Sequence, residues 1–274
     1  MKYVPGAAAI WLAVSSSAHA QTANVATIAA DAPIATSDRI HGIVALGGAF
    51  TPKYDGASSY QAGPFAMFGL QYRGVELKLL GTSLLVNLGG DTKFEFGPSL
   101  GYSDGRRRKD MDGQFRLLDR ITGAAELGGY AGYHLGGNDK GPGDIFISIQ
   151  ASKTMKSGRG FAVQPSIRYT AIRSKKLLVN LSIGATINDA KAMQTRFGIT
   201  PTEAQRSGLV AYKPKGGIAE ASTGITTSYQ LSRHWGLIGL VRGSTYLSDA
   251  ADSPIVKDGS KTFGIAALGV SYSF

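Results

Sequence analysis

Between residues 175 and 188 every second side chain is apolar: Leu177, Val179, Leu181, Ile183, Ala185 and Ile187 share one face, and Asn180, Ser182, Gly184, Thr186 and Asn188 share the other. A period of two belongs to a β-strand with unlike surroundings on its two faces. The pattern returns at residues 161–171, where Phe161, Val163, Ile167, Tyr169 and Ala171 oppose Gln164, Ser166, Arg168 and Thr170. Arg173-Ser174-Lys175-Lys176 makes the turn between these two runs, and similar alternation recurs at 124–135, 144–153, 218–231 and 234–247. One such run occurs in many soluble sheets. A series of them, separated by turn residues, is what lipid outside and a polar lumen inside require. The expected fold is all-β: a transmembrane antiparallel up-and-down β-barrel.

The two ends of the chain agree with that reading. Residues 261–274 read KTFGIAALGVSYSF, with Leu268, Val270, Tyr272 and Phe274 two apart on one face. A strand that closes on a terminal aromatic is the kind of insertion signal read by the barrel assembly machinery. At the other end, Lys2 precedes the apolar run AAAIWLAV and a small-x-small site at Ala18-His19-Ala20. That order of charge, apolar core and cleavage site marks residues 1–20 as a secretory signal peptide, with the mature chain starting at Gln21. Residues 21–38 are then expected as an N-terminal periplasmic segment and 39–274 as the barrel. An exported chain with no cysteine has no disulfides, so packing or a closed sheet must hold it. A mean hydropathy of -0.02, with no long apolar run after the signal, excludes spanning helices.

Outer-membrane barrels turn tightly in the periplasm and carry longer loops outside. On this rule residues 89–91, 135–143, 173–176 and 231–235 form periplasmic turns, and 103–122, 155–159, 189–215 and 248–260 lie outside. About eleven long segments would leave the N-terminus on the wrong side, and splitting residues 75–88 at Gly81-Thr82 restores an even count. About twelve strands are therefore expected, with about ten as the alternative. In the longest loop, Thr200-Pro201-Thr202-Glu203 places a capping residue, a proline at the first helical position and a glutamate three after the cap. A short helix should start there. The loop has three options: constricting the lumen, covering the mouth as a binding surface, or simply stabilising the barrel.

The polar register of the strands aims Glu76, Lys78, Lys93, Glu95, Glu126, Arg168, Glu220 and Arg242 at the lumen. Mixed signs suggest paired charges in a narrow interior, either a selectivity constriction or a network that fills and stiffens the barrel. The chain carries 29 basic against 19 acidic residues, and Arg106, Arg107, Arg108 and Lys109 are the densest basic cluster. In an outer loop such a cluster can pair with lipopolysaccharide phosphates. Nucleic acid is no partner for an exported chain. Of the four histidines, His19 leaves with the signal, His41 and His234 lie near strand ends, and His134 follows the lumen register. The sequence places no serine or carboxylate beside any of them, so no nucleophile and base pair is assembled and no catalytic residue is assigned. Asp249 and Asp252 fit turn chemistry without a metal, and no cofactor is implied.

Several separated segments resemble the MipA/OmpV family of outer-membrane proteins, named for a protein that binds the lytic transglycosylase MltA. They are Tyr54-Asp55-Gly56, LLVNL at 84–88, GPSLGY at 97–102, RFGIT at 196–200, Ser207-Gly208-Leu209 with Tyr212, His234-Trp235-Gly236, and LSDAADSPIV at 247–256. Arg196 departs from the pattern, standing where an aromatic is expected. The resemblance implies a non-enzymatic scaffold or anchor for peptidoglycan-remodelling enzymes, linking a murein hydrolase to a murein-synthesising penicillin-binding protein. Contact with outer-membrane lipid follows from the barrel reading, and contact with lipopolysaccharide from the basic cluster. The alternative the resemblance carries is a narrow porin-like channel or a surface adhesion protein.

Overall fold

The computed structural model describes residues 40–89, 93–136 and 142–274. The signal and its cleavage residues Ala18, Ala20 and Gln21, with the segment 21–38, lie outside the described residues. Twelve antiparallel strands close into a barrel in simple sequence order, β1 pairing with both β2 and β12. They are β1 His41–Pro52, β2 Tyr60–Tyr72, β3 Val75–Leu80, β4 Ser83–Asn87, β5 Phe94–Ser103, β6 Ala124–Leu135, β7 Ile145–Thr154, β8 Phe161–Arg173, β9 Leu177–Asn188, β10 Gly217–Gln230, β11 Trp235–Tyr246 and β12 Thr262–Ser273. The split at Gly81-Thr82 is real, and β3 and β4 are the shortest walls at 6 and 5 residues. Arg73 and Gly74, with φ of 49° and 80°, turn β2 directly into β3, the backbone hand that suits a two-residue hairpin.

The outer face is apolar as the alternation requires. Leu46, Val241 and Leu268 are 61%, 60% and 66% exposed, a loss no water-soluble fold would tolerate in a continuous belt. Tyr72, Phe94, Tyr133, Tyr169, Tyr229, Trp235 and Tyr272 are exposed near the short-turn end, forming an aromatic girdle of the kind found at a bilayer interface. A closed up-and-down barrel with this belt and girdle is an outer-membrane protein whose outer wall meets lipid. Closure is completed by the chain ends, where Gly42 and Phe274 exchange backbone hydrogen bonds of 3.0 and 2.9 Å.

Two details depart from the strand reading. A bulge in β8 between Thr170 and Ile172 shifts the register, so Ile172 is exposed on the outer face in place of Ala171. The extra residue re-aims everything after it. The interior is also not uniformly polar. Ile43, Ala45, Phe65, Met67, Ile238, Leu240, Phe263 and Ile265, from β1, β2, β11 and β12, are buried in one apolar cluster that faces the polar rows of the opposite wall.

Two helices fill the β9–β10 loop, α1 Ala190–Phe197 and α2 Pro201–Ser207; α3 Ser248–Asp252 and α4 Pro254–Lys257 fill the β11–β12 loop. Asp189 caps α1 by accepting from the Ala192 N–H. The expected capping box starts α2: the Thr200 side chain accepts from the Glu203 N–H, and Glu203 accepts from the Thr200 N–H. Gly208, at φ 76°, ends α2 in the left-handed conformation that a residue with a Cβ resists.

Candidate functional site

Both ends of the lumen are occupied, by different chemistry. At the short-turn end β3, β5, β6 and β8 send charged side chains inward. Lys78 Nζ lies 2.9 Å from Glu76 and 3.1 Å from Glu95. Glu95 also faces His134 Nε2 at 3.1 Å, while His134 Nδ1 meets Asp144, just ahead of β7, at 2.8 Å. The His134 ring packs 4.4 Å from Phe146, and the Arg168 guanidinium covers the same ring at 4.7 Å. Lys78, Glu95, His134, Asp144 and Arg168 are all buried. Each ring nitrogen of His134 is engaged by a carboxylate, so neither stands ready to take a proton from a nucleophile. This is a stiffening network, and the low dielectric around it makes every member costly to remove.

Further along the lumen the pairs are simpler. Arg242 of β11 is ion-paired with Glu220 of β10, and both are buried. Glu126 accepts from Thr154 at 3.4 Å and from Ser152 at 3.5 Å, and Ser148 and Ser166 share a 2.8 Å hydrogen bond across β7 and β8. Lys93 is the exception among the charges assigned to the lumen: it is exposed in the bend before β5, beyond the end of the wall that would enclose it.

The loop end is closed by a folded plug. Met193 and Phe197 of α1, Ala250 of α3 and Val256 of α4 join the barrel's apolar cluster, with the Phe197 ring edge-on to Tyr246 at 5.3 Å. A second cluster stacks Met111, Phe115 and Leu118 of the β5–β6 loop on Ile199, Leu209 and Ile255. Ser253 is fully buried and donates to the Phe197 carbonyl at 2.7 Å, tying α1 to the β11–β12 loop. Asp249 accepts from the Lys215 N–H at 2.7 Å and Asp252 pairs with Lys257 at 3.1 Å, so both have local duties. In the longest loop α1 turns inward onto the barrel's apolar cluster, while the segments flanking α2 pack on the β5–β6 loop.

Arg196, the departure from the family pattern, pairs bidentately with Asp55 at 2.8 and 2.7 Å. Burial pushes the guanidinium's pKa down, but the Asp55 carboxylate outweighs it and holds the charge more firmly than usual. The basic run also needs correction as a surface patch. Arg106 is buried, its guanidinium 4.0 Å from Glu203, because its strand-like bridge to Ile121 turns it beneath the plug. Arg107 pairs with Asp110 at 3.2 Å and exposed Arg108 with Asp119 at 3.8 Å, while Lys109 is exposed. Sequence reasoning missed Asp55, which lies in a loop, and Asp144, whose inward direction the alternation at 144–153 could have revealed.

Solved structures of similar form include the N-terminal β-barrel domain of Pseudomonas aeruginosa OprF, at 14% identity over 67% of this chain and 98% of that one, with a TM-score of 0.29. The translocator domain of the autotransporter NalP from Neisseria meningitidis aligns at 12% identity over 92% and 93% of the two chains, with a TM-score of 0.42. The COG4313 outer membrane channel from Pseudomonas putida F1 aligns at 10% identity over 88% and 97%, also with a TM-score of 0.42. These are distant likenesses, and no function is read from them. No curated protein sequence matches the chain. The family model described as MltA-interacting protein MipA matches residues 44–274, nearly the whole barrel. The chain therefore belongs to the MipA family of MltA-interacting proteins.

Proposed function

We propose that this protein is a non-enzymatic anchor that holds peptidoglycan-remodelling enzymes at the outer membrane, a murein hydrolase of the lytic transglycosylase class and a murein-synthesising penicillin-binding protein. The family's name supplies the first partner. The observation that carries the reading is the charge of the short-turn rim. Arg73, Lys93, Lys175, Lys176 and Arg233 are exposed there and Arg173 is half-buried, while Glu76, Glu95 and Asp144 at the same end are all buried. Among the described residues, that rim shows no exposed acidic side chain. Such a rim suits an acidic protein face or peptidoglycan carboxylates and speeds their approach. The filled lumen favours an anchor over a channel, since side chains from both ends occupy the route a solute would take. The closing strand, with Leu268, Val270, Tyr272 and Phe274 on its outer register, is read as the segment that the barrel assembly machinery engages.

The test places a photo-crosslinking residue at Lys175, Lys176 or Arg233 in intact envelopes and identifies what is captured. Recovery of a murein hydrolase or synthase, reduced in a Lys175→Glu/Lys176→Glu/Arg233→Glu variant that still folds, is the expected result. Capture of abundant porins alone would defeat the proposal.

A further inference from the structure

Between the β1–β2 and β5–β6 connections, at the loop end, lies a cavity of about 190 Å3. Lys53, Arg106, Arg107, Arg120 and Arg196 line it, against three acids, Asp55, Asp104 and Asp110. Two of the cations are matched where they stand, Arg196 by Asp55 and Arg107 by Asp110. The others are not. Arg106 is ion-paired only loosely, at 4.0 Å from Glu203, with Asp55 and Asp119 acting on its charge from further away. Lys53 and Arg120 line the same space with no ion pair to any described residue. Burial pushes the Asp104 carboxyl up, against the nearby Arg107 charge, which pulls it down.

The position of the cavity says how an anion would arrive. β3 and β4 stop at Gly81-Thr82, where the Gly81 N–H donates to Ala66 at 2.9 Å and the Tyr102 N–H donates to Thr82 at 3.1 Å. β2 runs on past Ala66 to Tyr60, so the wall between β2 and β5 is low on this side. Gln61 of β2 and Tyr102 of β5 both line the cavity, which therefore sits over the low stretch of wall. In an outer-membrane barrel the loop end faces the outer leaflet, whose headgroups stand at that height.

We propose that this cavity binds a phosphate group, and that the phosphate is carried by an outer-leaflet lipid headgroup entering over the β3–β4 hairpin. Guanidinium forks match phosphate oxygens bidentately, and Arg120 and Lys53 bring to the cavity charges that no described carboxylate pairs. The cavity lies at the opposite end of the barrel from the basic turn rim, so it stands independently of the anchoring role.

Calorimetric titration tests this on residues 21–274 refolded in a zwitterionic detergent. The probes are inorganic phosphate, chloride at matched ionic strength, and deacylated lipopolysaccharide. The expected result is saturable binding of phosphate but not chloride, with the oligosaccharide phosphate at least tenfold tighter and competing for the same site. Arg106→Gln also removes the partner of Glu203 and can loosen the plug, so Arg120→Gln and Lys53→Gln carry the decision. Each should weaken phosphate binding at least fivefold, and Lys175→Gln at the far end should not. Absence of saturable phosphate binding, or binding that Arg120→Gln and Lys53→Gln leave intact, overturns the site. Inorganic phosphate binding as tightly as the oligosaccharide overturns the lipid headgroup as its source.

Discussion

Lys78 is the pivot of the short-turn network, and replacing it should cost more than replacing the carboxylate it shares. In Lys78→Met the ammonium between Glu76 and Glu95 is lost, leaving two buried carboxylates that were 2.9 and 3.1 Å from one nitrogen, and so at most 6.0 Å apart. Their repulsion at an effective dielectric of about 20 is about 3 kcal/mol, in line with the ~3–5 kcal/mol typical of breaking a buried pair. Glu95→Gln is milder, because Lys78 keeps Glu76 and His134 keeps Asp144 at 2.8 Å. It weakens charge-assisted hydrogen bonds and should cost about 1–3 kcal/mol. The double variant Lys78→Met/Glu95→Gln removes the repulsion, so it should be more stable than Lys78→Met alone by about 1–3 kcal/mol. Urea unfolding in lipid vesicles at low salt measures all three, with Trp235, the one tryptophan among the described residues, as reporter at the same end. A double variant less stable than Lys78→Met would refute the reasoning, since it would show Glu95 still stabilising the fold once Lys78 is gone.

Other consequences concern the plug. Asp55→Ala leaves the Arg196 guanidinium without its bidentate partner and should raise amide exchange across residues 190–208 by tenfold or more, with strand amides unchanged. Ser253→Ala removes both the cap on the Ile255 N–H at 3.2 Å and the bond to Phe197 at 2.7 Å, and should destabilise the plug by about 1–3 kcal/mol, read as faster proteolysis of the two helical loops. Burial pushes the Glu203 carboxyl up, but hydrogen bonds from the Thr200 and Asp119 N–H groups and the Thr200 hydroxyl, with the nearby Arg106 charge, pull it below the usual range. A depressed folded pKa means that its contribution is complete above the ordinary glutamate pKa of ~4.3 and is lost as pH falls through the lower folded value. Exchange protection of α2 should therefore hold from neutral pH down to that range and then drop, and Glu203→Gln should abolish the pH dependence.

The lipid-facing half of each strand was legible because bilayer and lumen impose opposite demands on neighbouring residues, which is why Leu181, Ile183 and Ile187 announce their strand. The apolar interior wall was not. Where Ile43, Ile238, Leu240 and Ile265 face inward, both faces of a strand are apolar or small and the contrast on which periodicity depends fades. The Gly81-Thr82 break was readable from parity alone, whereas the bulge at Ala171 leaves no mark in composition. Thr200 to Glu203 disclosed a helix start because a capping box is local. Arg106 looked like part of a solvated run because its partner Glu203 lies far along the chain, and nothing in a charge cluster says which member turns inward. Arg196 showed as a departure before its reason was visible; the reason is Asp55, in the Tyr54-Asp55-Gly56 segment of a different loop.

The seam between β1 and β12 also sets the order of folding. Eleven of the twelve strand pairings join neighbours in sequence and can form as local hairpins, while the pairing of β1 with β12 spans the whole barrel. Loop-closure entropy makes that pairing the late step. Until it forms, the sheet has two open edges, β1 and β12, each a row of unpaired backbone groups able to recruit another chain. The β1–β12 pairing, eight residue pairs from Ile43 with Ser273 to Phe50 with Ala266, thus removes both edges at once. The exchange between Gly42 and Phe274 then pins the end of that seam at the aromatic girdle, where water and lipid meet.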